Sequence, residues 1–125
     1  MRVKNNDYSY RPLPHFLTIS KSKIEGIGVF ATENIPEGTD LGMSHVFDSR
    51  FSDGYIRLSL GGFINHHEIP NCKAVIFNKD PEIGNVKHIR LITTKKIKKE
   101  EELTVMYIIN ILDNPNWEHE YEVSQ

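Results

Sequence analysis

Asn65-His66 leaves the apolar run Leu60-Gly61-Gly62-Phe63-Ile64, and Pro70-Asn71 follows four residues later. Asn carries two donors and an acceptor, and the imidazole adds ring nitrogens of both kinds. Polar groups leaving an apolar segment are costly to bury unless something hydrogen-bonds them. The pair can therefore hold the edge of a flat heterocycle such as adenine; by itself it fits a turn cap beside a satisfied interior histidine equally well. Tyr107 ends a second apolar run, Leu103-Thr104-Val105-Met106. Its hydroxyl can be aimed at a small reacting group or can simply find a partner at the edge of the core. Gly26-Ile27-Gly28 is a two-glycine loop that lets backbone approach a ligand; it lacks the third glycine and the helix of a dinucleotide fingerprint. Trp117, the only tryptophan, can stack on a heterocycle or anchor the polar end of the chain. His66, His67, Glu68 and His88 raise the question of a metal. Neighbouring side chains on a strand point to opposite faces, and neither HExxH nor a Cys/His zinc spacing is present, so no metal site is expected.

These residues must be positioned by a single domain. A chain of 125 residues buries roughly 65–70% of its unfolded surface and supports one modest core. With 38% hydrophobic and 26% charged residues it reads as globular rather than disordered. Cys72 is the single cysteine, which excludes an internal disulfide and a multi-cysteine zinc site within one chain. No stretch reaches the ~20 apolar residues of a membrane span, and Met1 to Asp7 has no apolar signal-peptide core. A cytoplasmic or host-intracellular location is the expectation. A net charge of −2 argues against direct nucleic-acid binding. Charge is uneven: Lys95, Lys96, Lys98 and Lys99 cluster, whereas residues 100–125 hold seven acids and no Lys or Arg. That acidic end is either a solvated surface or a rim that attracts a basic peptide.

The pattern along the chain predicts many short strands. Phe16–Ser20, Val29–Thr32, Leu41–Val46, Lys73–Phe77, His88–Thr94 and Leu103–Met106 carry β-branched, aromatic or alternating residues. Turns are expected at Ile35-Pro36-Glu37-Gly38, at Asp80–Asn85 and at Lys98–Glu101, and a loop over 48–57. Asn114-Pro115 predicts a short helix over 116–123. The expected fold is mainly β with short helices.

The order of these segments resembles the SET domain of protein lysine methyltransferases. Gly26-Ile27-Gly28-Val29-Phe30-Ala31 matches the family's GxG loop and following strand, and Ile35-Pro36-Glu37-Gly38-Thr39-Asp40-Leu41 its next segment. Gly62-Phe63-Ile64-Asn65-His66-His67-Glu68-Ile69-Pro70-Asn71 matches R-F-I-N-H-S-C-x-P-N. Ile97 to Tyr107 matches I-x-x-G-E-E-L-T-x-x-Y. Five positions depart from the pattern: Gly62 stands for Arg, His67-Glu68 for Ser-Cys, Glu100 for Gly, and Val105 for a frequent aromatic. The resemblance implies a β-clip-like fold of small sheets with a C-terminal pseudoknot. It implies a SET domain over 15–110, between an N-terminal arm (1–14) and a short post-SET-like segment (111–125).

The resemblance further implies a protein-lysine N-methyltransferase that uses S-adenosyl-L-methionine. Gly26, Ile27, Gly28, Asn65 and His66 would bind the cofactor, and Trp117 would pack over it. Phe63, Ile64 and Val105 would line the substrate channel, and Tyr107 would be the catalytic tyrosine. The implied partner is a protein or peptide with a target lysine, with basic flanks suggested by the acidic end. The alternative is a catalytically inactive SET-like module that binds a peptide or small ligand in the same cleft; Asn65, His66 and Tyr107 occurring together favour the enzyme.

Overall fold

Two small sheets carry the chain. In the computed structural model, residues 12–106 and 122–124 are described, the last three as backbone. The strands are β1 (Leu17–Lys21), β2 (Ile27–Ala31), β3 (Asp40–Phe47), β4 (Tyr55–Arg57), β5 (Asn65–His66), β6 (Cys72–Phe77), β7 (His88–Thr93), β8 (Glu102–Val105) and β9 (Glu122–Ser124). One helical turn and a half, α1 (Ser59–Phe63), lies between β4 and β5. The first sheet has the order β1-β2-β8-β5 and the second β4-β3-β7-β6-β9. The fold is mainly β, as the residue pattern predicts. No helix among the described residues is long and apolar enough to cross a membrane.

Most strands fall where β-branched residues alternate, and the differences have local causes. β4 lies within the expected 48–57 loop: Tyr55, Ile56 and Arg57 pair antiparallel with β3, and Tyr55 is buried. α1 carries Gly61-Gly62, which oppose helix by propensity. It forms because a Cβ at Gly61 would collide with the Ser44 carbonyl and the His45 ring, so only glycine lets the turn sit against β3. The helix expected over 116–123 is not borne out at its end, since residues 122–124 form β9, parallel to Val75–Phe77 of β6. Edge pairing there overrides the local Asn-Pro signal; residues 116–121 lie outside the described residues.

The core joins both sheets. Val29 opposes Leu103 across β2 and β8, both fully buried, and Leu91 and Ile89 of β7 oppose Ala74 and Ile76 of β6, all four buried, as is Leu41 of β3. The two turn segments predicted from Pro-Glu-Gly and Lys-Lys-Glu meet at an Ile35–Ile97 bridge, where both side chains are buried. Asn71 ties this frame to β8. Its carboxamide NH2 donates to the Glu102 carbonyl (2.9 Å), and its Oδ1 accepts from the Thr104 backbone N–H (2.8 Å). β8 then runs parallel to β5, with Asn65 beside Thr104 and His66 beside Val105. Two segments nearly forty residues apart are thereby held in one register.

Candidate functional site

The loop between β1 and β2 is built around Ser22. Its Oγ accepts from the backbone N–H groups of Ile24 (2.8 Å) and Glu25 (3.3 Å), which closes a serine turn. The same hydroxyl donates to the Glu102 carboxylate, 2.8 Å from Oε1 and 2.9 Å from Oε2. Asn65 completes the knot. Its Nδ2 lies 2.9 Å from Glu102 Oε2, 3.0 Å from the Glu25 carbonyl and 3.0 Å from Ser22 Oγ. A carboxylate and a carbonyl only accept, so the NH2 end of the amide must face them. Its Oδ1 therefore points the other way and receives no donor from the described residues. Asn65 is a buried side chain with one acceptor held ready, and not a self-satisfied turn cap.

Gly28 is packed against this knot. A Cβ there would run into the Glu102 carboxylate and come within 3.1 Å of Asn65 Nδ2. Gly26 takes a positive φ of 46°, with open space where its Cβ would stand. Ile27, between them, is exposed. The structure thus brings Gly26, Ile27, Gly28 and Asn65 together, with His66 beside Asn65 on β5. Ser22 and Glu102 are missing from the sequence-based set. Their signal is only visible in three dimensions, since Ser22 and Glu102 are eighty residues apart.

On the far side of β5 and β8 lies a cavity of about 260 Å³. Ile64 and Val105, both expected in a substrate channel, line it together with Ser44, His45, Arg57, Gly62 and Met106. Phe63 does not join them. It is 37% exposed and lines a different groove with Pro12, Leu13, Leu17 and Ile19. Met106 immediately precedes Tyr107; Tyr107 and Trp117 themselves lie outside the described residues.

His45 is the titratable group inside this cavity, only 7% exposed. Ser44 Oγ donates to the Ile89 carbonyl (3.3 Å), so its lone pair takes the His45 Nδ1–H at 2.9 Å, which leaves Nε2 as an acceptor. Burial and the nearby Arg57 guanidinium push the imidazole pKa down to about 4, so His45 is neutral at physiological pH. Its ring meets Tyr55 edge-on at 4.9 Å. The other expected polar positions serve the frame. His67 Nδ1 accepts from the Ile69 N–H (2.9 Å), and His88 donates from Nδ1 to the Val86 carbonyl (2.8 Å) while stacking on Phe77. Burial pushes the Cys72 thiol up to about 12, which makes it inert as a nucleophile.

The fold is shared with solved structures. A candidate histone methyltransferase of Plasmodium falciparum is 23% identical with a TM-score of 0.59; the match covers 75% of this chain and 94% of that one. The Neurospora SET-domain protein DIM-5, a histone lysine methyltransferase, is 20% identical with a TM-score of 0.56, covering 73% and 51%. A Chaetomium thermophilum Polycomb Repressive Complex 2, in a humanized mutant form bound to the inhibitor GSK126, is 25% identical with a TM-score of 0.57. There the match covers 82% of this chain but 16% of the larger one. Comparison with curated protein sequences finds no match. The SET-domain family profile matches residues 42–108, more than half of the chain and the stretch that carries the cavity, Asn65-His66 and β8. With that match, and with the GxG loop, Asn65 and the parallel β5–β8 pair assembled as described, the chain belongs to the SET-domain family.

Proposed function

We propose that this chain is a protein-lysine N-methyltransferase that uses S-adenosyl-L-methionine. The observation that carries the reading is the knot of Ser22, Glu102 and Asn65 against Gly28. It holds a bare glycine loop and one unused carboxamide acceptor side by side, at one end of a strand pair whose other face opens on a cavity with an aliphatic wall of Ile64, Ile89, Leu91 and Val105. Those residues fit the cofactor: an acceptor suits an ammonium or amino group, and a loop without side chains suits close approach of an extended molecule. Bound there, the cofactor would supply an electrophilic methyl on a sulfonium.

The protein's own contribution is orientation and exclusion of water. Gly26, Ile27 and Gly28 would contact the cofactor through backbone, Asn65 Oδ1 and His66 would fix its polar groups, and Trp117 would cover it. An entering lysine must be neutral to attack, since only the free amine has a lone pair; the ordinary amine pKa of about 10.4 falls against the aliphatic wall that Ile64 and Val105 would give the cavity. Tyr107, next after Met106, would orient the methyl by its hydroxyl. Nothing in this scheme forms a covalent enzyme intermediate, so the acceleration comes from alignment and preorganised dipoles. The proposed working unit is the SET domain of residues 15–110, between an N-terminal arm (1–14) and a short post-SET-like segment (111–125).

Thermal unfolding with and without S-adenosylmethionine tests the cofactor assignment, and transfer of a labelled methyl to a lysine-rich protein mixture tests the reaction. Ligand at ~100 times its dissociation constant adds about 2.7 kcal/mol. Tyr107→Phe is expected to keep that stabilisation and lose most of the transfer. Absence of any stabilisation would overturn the cofactor assignment; stabilisation without transfer in the native sequence would favour the inactive binding module.

A further inference from the structure

The cavity behind Ile64 and Val105 has an unusual electrostatic lining. Arg57 stands at it with its guanidinium carbon 5.8 Å from the centre of the Tyr55 ring and one N–H 3.4 Å from the Tyr55 hydroxyl. Its aliphatic stem lies over α1: the Cγ and Cδ atoms are 4.0 and 3.9 Å from where a Cβ on Gly62 would stand. Gly62, which replaces an arginine of the family pattern, lies beside this stem as Arg57 reaches in from β4. The other described arginines are matched, Arg50 by Asp48 and Arg90 by Asp40 and Asp80. Arg57 has no carboxylate partner among the described residues.

The remaining described elements at the cavity bring no acid to offset it. β3 contributes Ser44 and His45, and β4 contributes Arg57 backed by Tyr55. α1, β6, β7 and β8 contribute Gly61, Gly62, Ala74, Ile89, Leu91 and Val105, none of them charged. Among the described residues the lining thus holds one fixed positive charge, a histidine and no acid.

We propose that Arg57 makes this cavity select the neutral form of a lysine-type amine, so that the proton is left with solvent water before the side chain enters. The inference rests on the methyltransferase reading for the identity of the amine, but not for the sign of the potential. An ammonium entering the cavity meets a guanidinium and finds no carboxylate, whereas a neutral amine pays only its own desolvation. A cationic neighbour is one established way to bring a lysine amine to its nucleophilic form near neutral pH. His45, whose imidazole is held down first by burial and then by Arg57, faces the same charge from β3.

The test uses n-butylamine, the end of a lysine side chain, titrated into the cofactor-free full chain and followed by NMR of the His45 ring. The native protein is expected to bind roughly tenfold more tightly per pH unit between pH 7.5 and 9.5, because only the free base enters. Arg57→Lys is expected to keep that slope. Arg57→Gln and Arg57→Met, at an exposed position, are expected to flatten it to less than about threefold per unit as the cation gains entry. No binding to the native protein, a pH-independent affinity, or an unchanged slope in Arg57→Gln would each overturn the proposal. In a methyl-transfer assay the acid limb of kcat moves up by about one pH unit in Arg57→Gln and stays in place in Arg57→Lys. A normal amine slope with no transfer would count against the methyltransferase reading alone; transfer with an acid limb indifferent to Arg57 would count against this inference alone.

Discussion

Asn65 shows how one side chain can be read twice. As a residue type it is ambiguous between cap and ligand holder; as a placed residue its NH2 is spent on Glu102, Ser22 and the Glu25 carbonyl, and only Oδ1 is left. Asn65→Ala is expected to weaken S-adenosylmethionine binding by roughly 5- to 150-fold, the equivalent of a lost buried hydrogen bond of about 1–3 kcal/mol. Calorimetry checks this, and an unchanged dissociation constant would return Asn65 to a structural role. His45 makes a different kind of prediction. Its pKa is 6.5 when the chain is unfolded and about 4 when folded. Between those values the unfolded chain holds more protons, so stability falls as pH drops through 6.5 toward 4 and levels off below. The contribution is present in full above pH 6.5 and amounts to about 3 kcal/mol at most. Urea unfolding from pH 7.5 to 4 should show His45→Gln losing less stability than the native chain over that window; parallel curves would mean that the imidazole is not held neutral.

At the scale of elements, the decisive device is the insertion of β8 beside β5. Asn71 locks β8 through its backbone, and the turn before β8 sets its entry angle. In that turn Glu100 takes φ 74°, the only positive φ of a non-glycine among the described residues, at the place where the family pattern has glycine. Its N–H donates to the Ala31 carbonyl at 2.7 Å, so the turn is held although the residue type opposes it. A left-handed conformation costs an ordinary residue about 1–2 kcal/mol, against about 0.5–1 kcal/mol of extra chain entropy that glycine loses on folding. Glu100→Gly should therefore raise unfolding stability by about 0.5–1 kcal/mol without altering the cavity. A destabilised variant would mean that the Glu100 side chain contributes more than its backbone strain costs.

For the molecule as a whole, the charge distribution bears on what docks. Residues 100–125 carry seven acids and no Lys or Arg. Asp113, Glu118 and Glu120 lie outside the described residues, and Glu122 opens β9 at the edge of the larger sheet. A lysine with basic flanks is expected to be methylated faster than one with acidic flanks at low salt. The preference should fade as salt rises, because exposed charges are screened beyond about 8–10 Å. Methylation rates of two such peptides across a salt series decide the matter; equal rates at low salt would reduce the acidic end to a solvated surface. This long-range attraction does not conflict with Arg57, which acts on the amine itself at the end of its path.

Residue order alone determined the positions of β1, β2, β3, β6, β7 and β8, the two glycine turns and the ordered set of segments that mark the family, because alternation and turn chemistry act over a few neighbours. It also picked out Asn65, Ile64 and Val105, which the fold does place around one strand pair. Tertiary structure alone decided that Ser22 and Glu102 orient Asn65, that Phe63 turns away from the cavity, and that His45 and Arg57 line it. It also decided that Gly61-Gly62 can be a helix and that residues 122–124 are a strand. The physical reason is common to all of these: each depends on a contact between segments distant in sequence, where close packing and hydrogen-bond satisfaction outweigh the roughly 1 kcal/mol that local propensity can impose.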